Sequence, residues 1–437
     1  MSSVLVVGAG WAGLSSAVEL VRTGHAVTVL EAAAGVGGRA RRLTVNGMPL
    51  DNGQHLLLGA YTHTLAMMAT VGVDPATAFL RLPLELRVLE RDGPAIRLRA
   101  GTLPAPLHLA WGLASCAGLS RGERLAALGL ALRGFLRPPA AARDCTVDQW
   151  LNGQPPRVRR TLWEPLCLAA LNTPVDQASA AVFLRVLADA FHFRRRHADL
   201  LIPRGDLGGL LPQPARAFIG DHGGRVLTGH RVTALVEEAG RVTGVATADG
   251  LLGADHVVVA TAHHGAARLL APLPGGAAPA AALRRLDHQP ICTVYLQYDP
   301  ATRLDFPMVG LTGGIAQWVF DRATDGRRGL MAVVVSAAGP HMDLDRDTLA
   351  ARVQAELAHH YPAWPPPAWS RVIRERRATF ACRAGEQDLR PLHRGHLPGL
   401  WLAGDYTRTP YPATLEGAVM SGLQCARDIH HHTEVSP

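Results

Sequence analysis

The sequence predicts an α/β fold: a parallel sheet whose strands come from both ends of the chain, interrupted by an inserted α+β domain. Three observations carry that prediction. An apolar strand pattern at the extreme N-terminus runs straight into a glycine-rich turn and a helix. A second strand pattern near the C-terminus runs into another helix. Between them lie segments of different periodicity, helical in one stretch and alternating in another.

Val4-Leu5-Val6-Val7 reads as a buried parallel strand. Gly8-Ala9-Gly10-Trp11-Ala12-Gly13 follows at once and opens an amphipathic helix to about Gly24. Ala26-Val27-Thr28-Val29-Leu30 is the next strand and ends in Glu31. This order of strand, turn, helix, strand and acid is that of a dinucleotide site. Gly8 allows the tight turn, Gly10 lets the backbone approach a pyrophosphate, and Gly13 packs helix on strand. Trp11 and Ala12 begin the helix, whose N-terminus presents unpaired N–H groups and about half a positive charge. Glu31, about 20 residues on, suits a ribose hydroxyl and disfavours a 2′-phosphate.

The remaining motifs make the expected dinucleotide FAD. Gly35-Val36-Gly37-Gly38-Arg39 comes directly after Glu31, where an NAD site would continue into its next helix. Asp51-Asn52-Gly53-Gln54-His55 follows. Near the other end Leu400-Trp401-Leu402-Ala403 is a strand, Gly404-Asp405 ends it, and Ala413-Thr414-Leu415-Glu416-Gly417-Ala418 opens the final helix. A carboxylate at a strand's C-terminal edge, with a helix N-terminus beyond, suits a ribityl chain and the electron-rich end of a flavin ring. No cysteine lies between Gly404 and Glu416, so the FAD is expected to be non-covalent.

The middle of the chain completes the cofactor domain. Gly224-Arg225-Val226-Leu227 and Arg231-Val232-Thr233-Ala234-Leu235-Val236 read as strands, with the backbone at Val232 a contact for the adenine. Arg241 to Gly250 suggests a hairpin, and His256 to Ala262 a buried strand with a small-residue exit at Ala260. The cofactor domain is therefore discontinuous, at 1–65, 203–286 and 379–437. The inserted substrate domain comprises 66–202, mainly helical (for instance Ala178 to Phe193), and 287–378, which alternates like antiparallel strands (Cys292 to Tyr298) before a helix from about Arg346 to Tyr361. Pro138-Pro139 and Pro365-Pro366-Pro367 punctuate the pieces, and no internal repeat is evident.

At 437 residues the chain can bury a large core and suggests two domains, and 48% hydrophobic content is globular. The formal charge is +8, and all 44 basic residues are arginine. Such a balance admits nucleic acid or an anionic membrane as partner. Arg194-Arg195-Arg196 is short, with no interleaved aromatics, and reads as a solvated helix face; nucleic acid is not expected. The six cysteines form no CxxC pair, which fits a reducing compartment and argues against a metal site. His430-His431-His432 reads as an exposed, disordered tail. The start of the chain carries no signal-peptide pattern, so a cytoplasmic location is expected. Gly101 to Ser120 lacks Asp, Glu and Arg, but Pro104, Pro106 and His108 spoil it as a spanning helix. Leu107 to Leu136, broken around Gly118-Gly122 and flanked by Arg121, Arg124, Arg133 and Arg137, reads better as an interfacial helix pair, the membrane-facing part at about 101–137.

Three of these motifs carry a family resemblance. The N-terminal fingerprint, Gly37-Gly38-Arg39 and the Gly404-Asp405…Glu416-Gly417-Ala418 close resemble the flavin amine oxidase and carotenoid (phytoene) desaturase superfamily. That resemblance implies a Rossmann-like FAD domain of the glutathione-reductase type. More narrowly, Asp51 to Tyr61, Trp163 to Pro174 and Pro410 to Ala418 are similar to the hydroxysqualene dehydroxylases. That similarity implies reductive loss of a hydroxyl from hydroxysqualene, giving squalene on the hopanoid route. It also implies a C30 polyprenyl substrate, a peripheral place on the inner membrane face, and squalene-pathway synthases or a cyclase as partners. Three other readings stay open: a carotenoid-type desaturase or isoprenoid oxidase, an amine oxidase, and a non-catalytic polyprenyl carrier.

The residues bear on these independently. Amine oxidases of the superfamily commonly use a lysine beside the flavin, and this chain has no lysine. Only one dinucleotide fingerprint exists, so the electron donor is unidentified. Hydroxide is a poor leaving group, so a proton donor is expected near the flavin. His55 is the first candidate, with Tyr406, Tyr411 and Glu416 behind it; Asp51 reads as structural.

Overall fold

The computed structural model describes residues 2–45, 47–136 and 144–435. Arg137 and the Pro138-Pro139 turn lie outside the described residues. Both termini meet in one five-stranded parallel sheet. Its order is Arg225–Thr228, Ala26–Glu31, Ser3–Val7, His256–Val259 and Leu400–Leu402. Val4 to Val7 and His256 to Val259 are buried, as two covered faces require. Helix Trp11–Arg22 is buried along most of its length and packs on the C-terminal helix Leu415–Val435. The contact is close because Gly422 has no side chain: a Cβ there would lie 2.2 Å from the Ala12 carbonyl oxygen.

The second layer is a seven-stranded sheet. Its order is Trp369–Phe380, His288–Gln297, Leu330–Ser336, Trp318–Asp321, Met308–Thr312, Glu85–Glu90 and Ile96–Arg99. All pairings are antiparallel except that of Met308–Thr312 with Glu85–Glu90. The stretch 66–202 is mainly helical, as expected, but it also supplies strands outside that expectation: Glu85–Glu90, Ile96–Arg99, Phe79–Leu82 and the start of Leu200–Pro203. The period-two signal was present in Glu85-Leu86-Arg87-Val88 and Ile96-Arg97-Leu98-Arg99. Glu85 tolerates its buried place because Arg87 and Arg97 bond it at 2.7 and 2.8 Å.

Other elements agree with the sequence or shift by a few residues. Ala180–Phe191 is a helix capped by Ser179, and Arg346–His360 one capped by Asp345. The strand expected from Arg231 starts only at Ala234, in a three-stranded antiparallel sheet, because Val232 is turned inward ahead of it. Arg194-Arg195-Arg196 is exposed, but Arg194 is extended and Arg195 and Arg196 open a 3₁₀ turn, rather than lying on a helix face. The histidine tail is not a loose end: the final helix runs through it, and His430 meets His25 at 3.3 Å. The apolar segment folds as Leu107–Ala114 and Arg121–Leu136, a helix pair as expected. Among the described residues no helix is long and apolar enough to cross a membrane.

Candidate functional site

A cavity of about 690 Å³ lies between the two layers. Its polar end is the C-terminal edge of the parallel sheet, with Gly8, Gly10, Trp11, Ala12, Glu31, Gly37, Gly38, Arg39, Val232 and Ala260 in the wall. Gly53, Gln54, His55, Gly404, Asp405, Ala413, Thr414 and Leu415 line it from the other motifs. Its apolar end is walled by Leu84, Leu166, Leu187, Phe191, Met308 and Trp318, from the inserted helices and the seven-stranded sheet. Segments distant in sequence thus converge on one chamber.

The local backbone explains the glycines. Gly8 has φ +109°, and a Cβ there would lie 2.8 Å from the Ala260 carbonyl oxygen. Gly13 is absent from the cavity wall, as its packing role requires: its Cβ would meet the Gly8 carbonyl oxygen at 2.0 Å. The Gly37 amide donates to the Ala9 carbonyl at 2.8 Å, laying the second glycine motif against the first. Glu31 ends its strand with both carboxylate oxygens engaged, accepting from the Ala9 and Ala33 amides at 2.8 Å each. Arg39 crosses to Asp405 through a two-oxygen ion pair at 2.7 and 2.8 Å, joining the N- and C-terminal motifs.

Asp51 is structural, as expected. It accepts from the Leu207 amide at 2.8 Å and from buried Arg322 at 3.2 Å. Arg322 also holds Gln54 and Asp325, so one buried guanidinium fixes the turn that presents His55. His55 lies in the cavity wall with its Nδ1 3.1 Å from the Gly53 carbonyl. A carbonyl only accepts, so Nδ1 carries the hydrogen and Nε2 is the free nitrogen. Burial holds the imidazole below its ordinary value, against the Gly53 bond and the Asp51 charge.

Two catalytic candidates are not placed to act. Tyr406 is fully buried outside the cavity wall, its ring against His263 at 6.2 Å. Glu416, also fully buried outside the wall, accepts four hydrogen bonds at 2.7–2.9 Å, from the amide and Nδ1 of His63 and the amide and hydroxyl of Thr64. Its carboxylate ties helix Thr62–Thr70 to the final helix.

A family model for flavin-containing amine oxidoreductases matches residues 11–430. The chain belongs to that family. A hydroxysqualene dehydroxylase of Rhodopseudomonas palustris is 31% identical over 445 residues, covering 97% of each chain, which places this flavin oxidoreductase with that group. A 15-cis-phytoene desaturase of Narcissus pseudonarcissus is 25% identical over 98% of this chain and 79% of its own length. An oxidoreductase from Methanosarcina mazei superposes with a TM-score of 0.77 at 17% identity, covering 97% of this chain and 100% of that one, a likeness of fold.

FAD is the cofactor of this flavin oxidoreductase, and the geometry fits it. A Cβ built at Gly10 meets no protein atom within 4 Å, so it would project into the cavity where a phosphate must approach. The helix beginning at Trp11 has no side-chain cap, leaving its first amides for the phosphates.

Three contributors to the site escaped the sequence reading. Arg322 sits in a polar run with no diagnostic spacing, and only the fold brings it to Asp51 and Gln54. Buried Arg390 donates to the backbone carbonyls of Asp405, Tyr406 and Thr409, shaping the loop before the final helix. Asp189 lines the cavity and accepts from the Tyr411 hydroxyl at 2.7 Å and Arg185 Nε at 2.9 Å. An acid four residues after Arg185, the only charged pair on the Ala180–Phe191 helix, was the available signal for it.

Proposed function

We propose that this flavin oxidoreductase reductively removes the hydroxyl of hydroxysqualene, a C30 polyprenyl allylic alcohol, to give squalene. The observation that carries the reading is one chamber with a nucleotide end and a long apolar end, joined where His55, Tyr411 and Asp189 enter the wall. The names of the relatives support it. Reduced FAD, when bound, supplies a hydride. The chain's own residues do the rest. The apolar wall takes up the polyprenyl chain, at about 0.8 kcal/mol per buried CH₂, and excludes water that would recapture an allylic cation. Protonated His55 gives its Nε2 proton to the departing hydroxyl, and the Tyr411–Asp189 pair fixes the polar end of the substrate. The FAD is held non-covalently, and the electron donor is a separate partner.

The substrate reaches the chamber from a membrane surface. Leu107, Trp111, Leu125, Leu132 and Leu136 are 56–72% exposed on the helix pair. Arg121 and Arg133 stand exposed beside them, suited to anionic headgroups. A small apolar void lies beneath this pair and shares Leu84, Leu86, Leu166, Leu187 and Phe191 with the main cavity wall. Such docking sets the protein beside squalene-pathway synthases or a cyclase on the inner membrane face.

The test is anaerobic incubation of photoreduced protein with hydroxysqualene. Flavin reoxidation with squalene as product supports the reading. Silence with hydroxysqualene, together with reduction of oxidised flavin by a carotenoid-like polyene, overturns it in favour of a desaturase.

A further inference from the structure

A histidine cluster outside the proposed chemistry has no assigned role. His263 and His264 open helix His263–Leu270, directly after the central strand His256–Val259 and its exit at Ala260. His288 opens the long strand His288–Gln297 of the other sheet. The fold brings the three rings together where the two layers meet. The His263 and His288 rings stack at 4.2 Å, and His264 stands 5.2 Å from His288. One ring nitrogen from each lies within 4.8 Å of the other two.

Two features point to a ligand. His263 is 3% exposed, and its Nε2 is buried without a hydrogen-bond partner; His288 Nδ1 is buried and unpartnered as well. Buried polar atoms left unpaired are uncommon and call for a water or an ion. His264, in contrast, is exposed and forms part of the cavity wall beside Thr261 and Arg268, which gives an ion a way in.

We infer that His263, His264 and His288 form a three-imidazole site for a borderline d-block divalent ion, of which zinc is the representative. An all-nitrogen donor set excludes calcium and magnesium, which demand oxygen. Tetrahedral zinc at about 2.0–2.1 Å from each nitrogen needs ligands roughly 3.4 Å apart, so binding would draw the three nitrogens in from their present spread within 4.8 Å. The fourth position opens toward the exposed side, at His264. Arg39, Arg268 and Arg377 face the cluster, as do Asp405 and Asp287. Arg39 is already paired with Asp405, so the remaining positive charge favours an anionic fourth ligand such as hydroxide. An ion held there clamps the cofactor sheet to the substrate sheet.

The experiment is zinc titration of the untagged, FAD-loaded protein, followed by calorimetry and by cobalt(II) absorption. It is run in a background carrying His430→Ala, His431→Ala and His432→Ala, which removes the other histidine-rich segment. One equivalent of zinc is expected, with tetrahedral cobalt bands. His264→Ala and His288→Ala should each weaken binding at least about tenfold. Unchanged far-ultraviolet circular dichroism and melting temperature of the zinc-free variants serve as the folded reference. Zinc binding that disappears with the tail histidines, or that survives both single substitutions, overturns the inference. None of these readouts depends on the substrate, so the proposed reaction can fail independently.

Discussion

Replacing Glu416 by Gln separates a structural carboxylate from a catalytic one. The carboxylate is 0% exposed and takes two donors on each oxygen, from His63 and from Thr64. Glutamine keeps one oxygen and turns an NH₂ group toward two of the four donors. Each buried donor so orphaned costs about 1–3 kcal/mol, giving about 2–6 kcal/mol in all. For a cooperative unit of this size that is about 1 °C of melting temperature per kcal/mol, so a fall of roughly 2–6 °C is expected. Melting followed by flavin fluorescence measures it, beside turnover well below the transition. The loss should depend on pH. The hydrogen bond to Glu416 raises the His63 imidazole above its ordinary 6.5. A raised value means this pairing contributes fully below about pH 6.5 and fades as pH climbs through the folded value. The gap between parent and variant should therefore be widest near pH 6 and narrow toward alkaline pH. An unchanged melting temperature with abolished turnover would refute the reasoning and return Glu416 to the chemistry.

Gly10→Ala should fold normally yet bind FAD at least about tenfold more weakly, a cost of about 1.4 kcal/mol or more by equilibrium dialysis. Gly13→Ala should do the reverse in character, losing about 1–3 kcal/mol of stability to its clash with the Gly8 carbonyl, as read by denaturant unfolding. His55→Gln should retain the flavin spectrum while turnover falls about 10²–10⁴-fold. With His55 intact, turnover should rise as pH falls below 6.5, because burial depresses that imidazole; a flat profile there removes it as the acid. Trp111→Glu combined with Leu132→Glu should weaken co-sedimentation with anionic vesicles by about tenfold or more, since each exposed apolar side chain is worth about 1–2 kcal/mol on burial; equal binding by the variant removes this face from docking.

The nucleotide end of the site was legible because its requirements are local. A tight turn, a close backbone approach and a helix start leave glycines at fixed spacing, and 17 of the 18 cofactor residues expected from sequence line the cavity, Gly13 being the one behind it. What failed to read were roles decided by long-range packing. Tyr406 and Glu416 sit inside recognisable motifs, and only the fold shows that one is sealed off and the other spent on His63 and Thr64. Asp189 and Tyr411 are more than 200 positions apart, and no local pattern links them. The strands at Glu85–Glu90 and Ile96–Arg99 were overlooked because each is only a few residues long beside much longer helices.

The order of strands in the cofactor sheet sets a timetable for biogenesis. Strand Ser3–Val7 lies between partners drawn from residues 26–31 and 256–259, and the sheet closes only with 400–402. At about 5–20 residues per second, the opening segment waits roughly 13–50 s for its last neighbour, 256–259, and the sheet roughly 20–80 s for its last strand. Until then the apolar edge of a half-built sheet stays uncovered, so a stalled or truncated nascent chain should be a chaperone client, with flavin capture deferred until strand 400–402 has emerged.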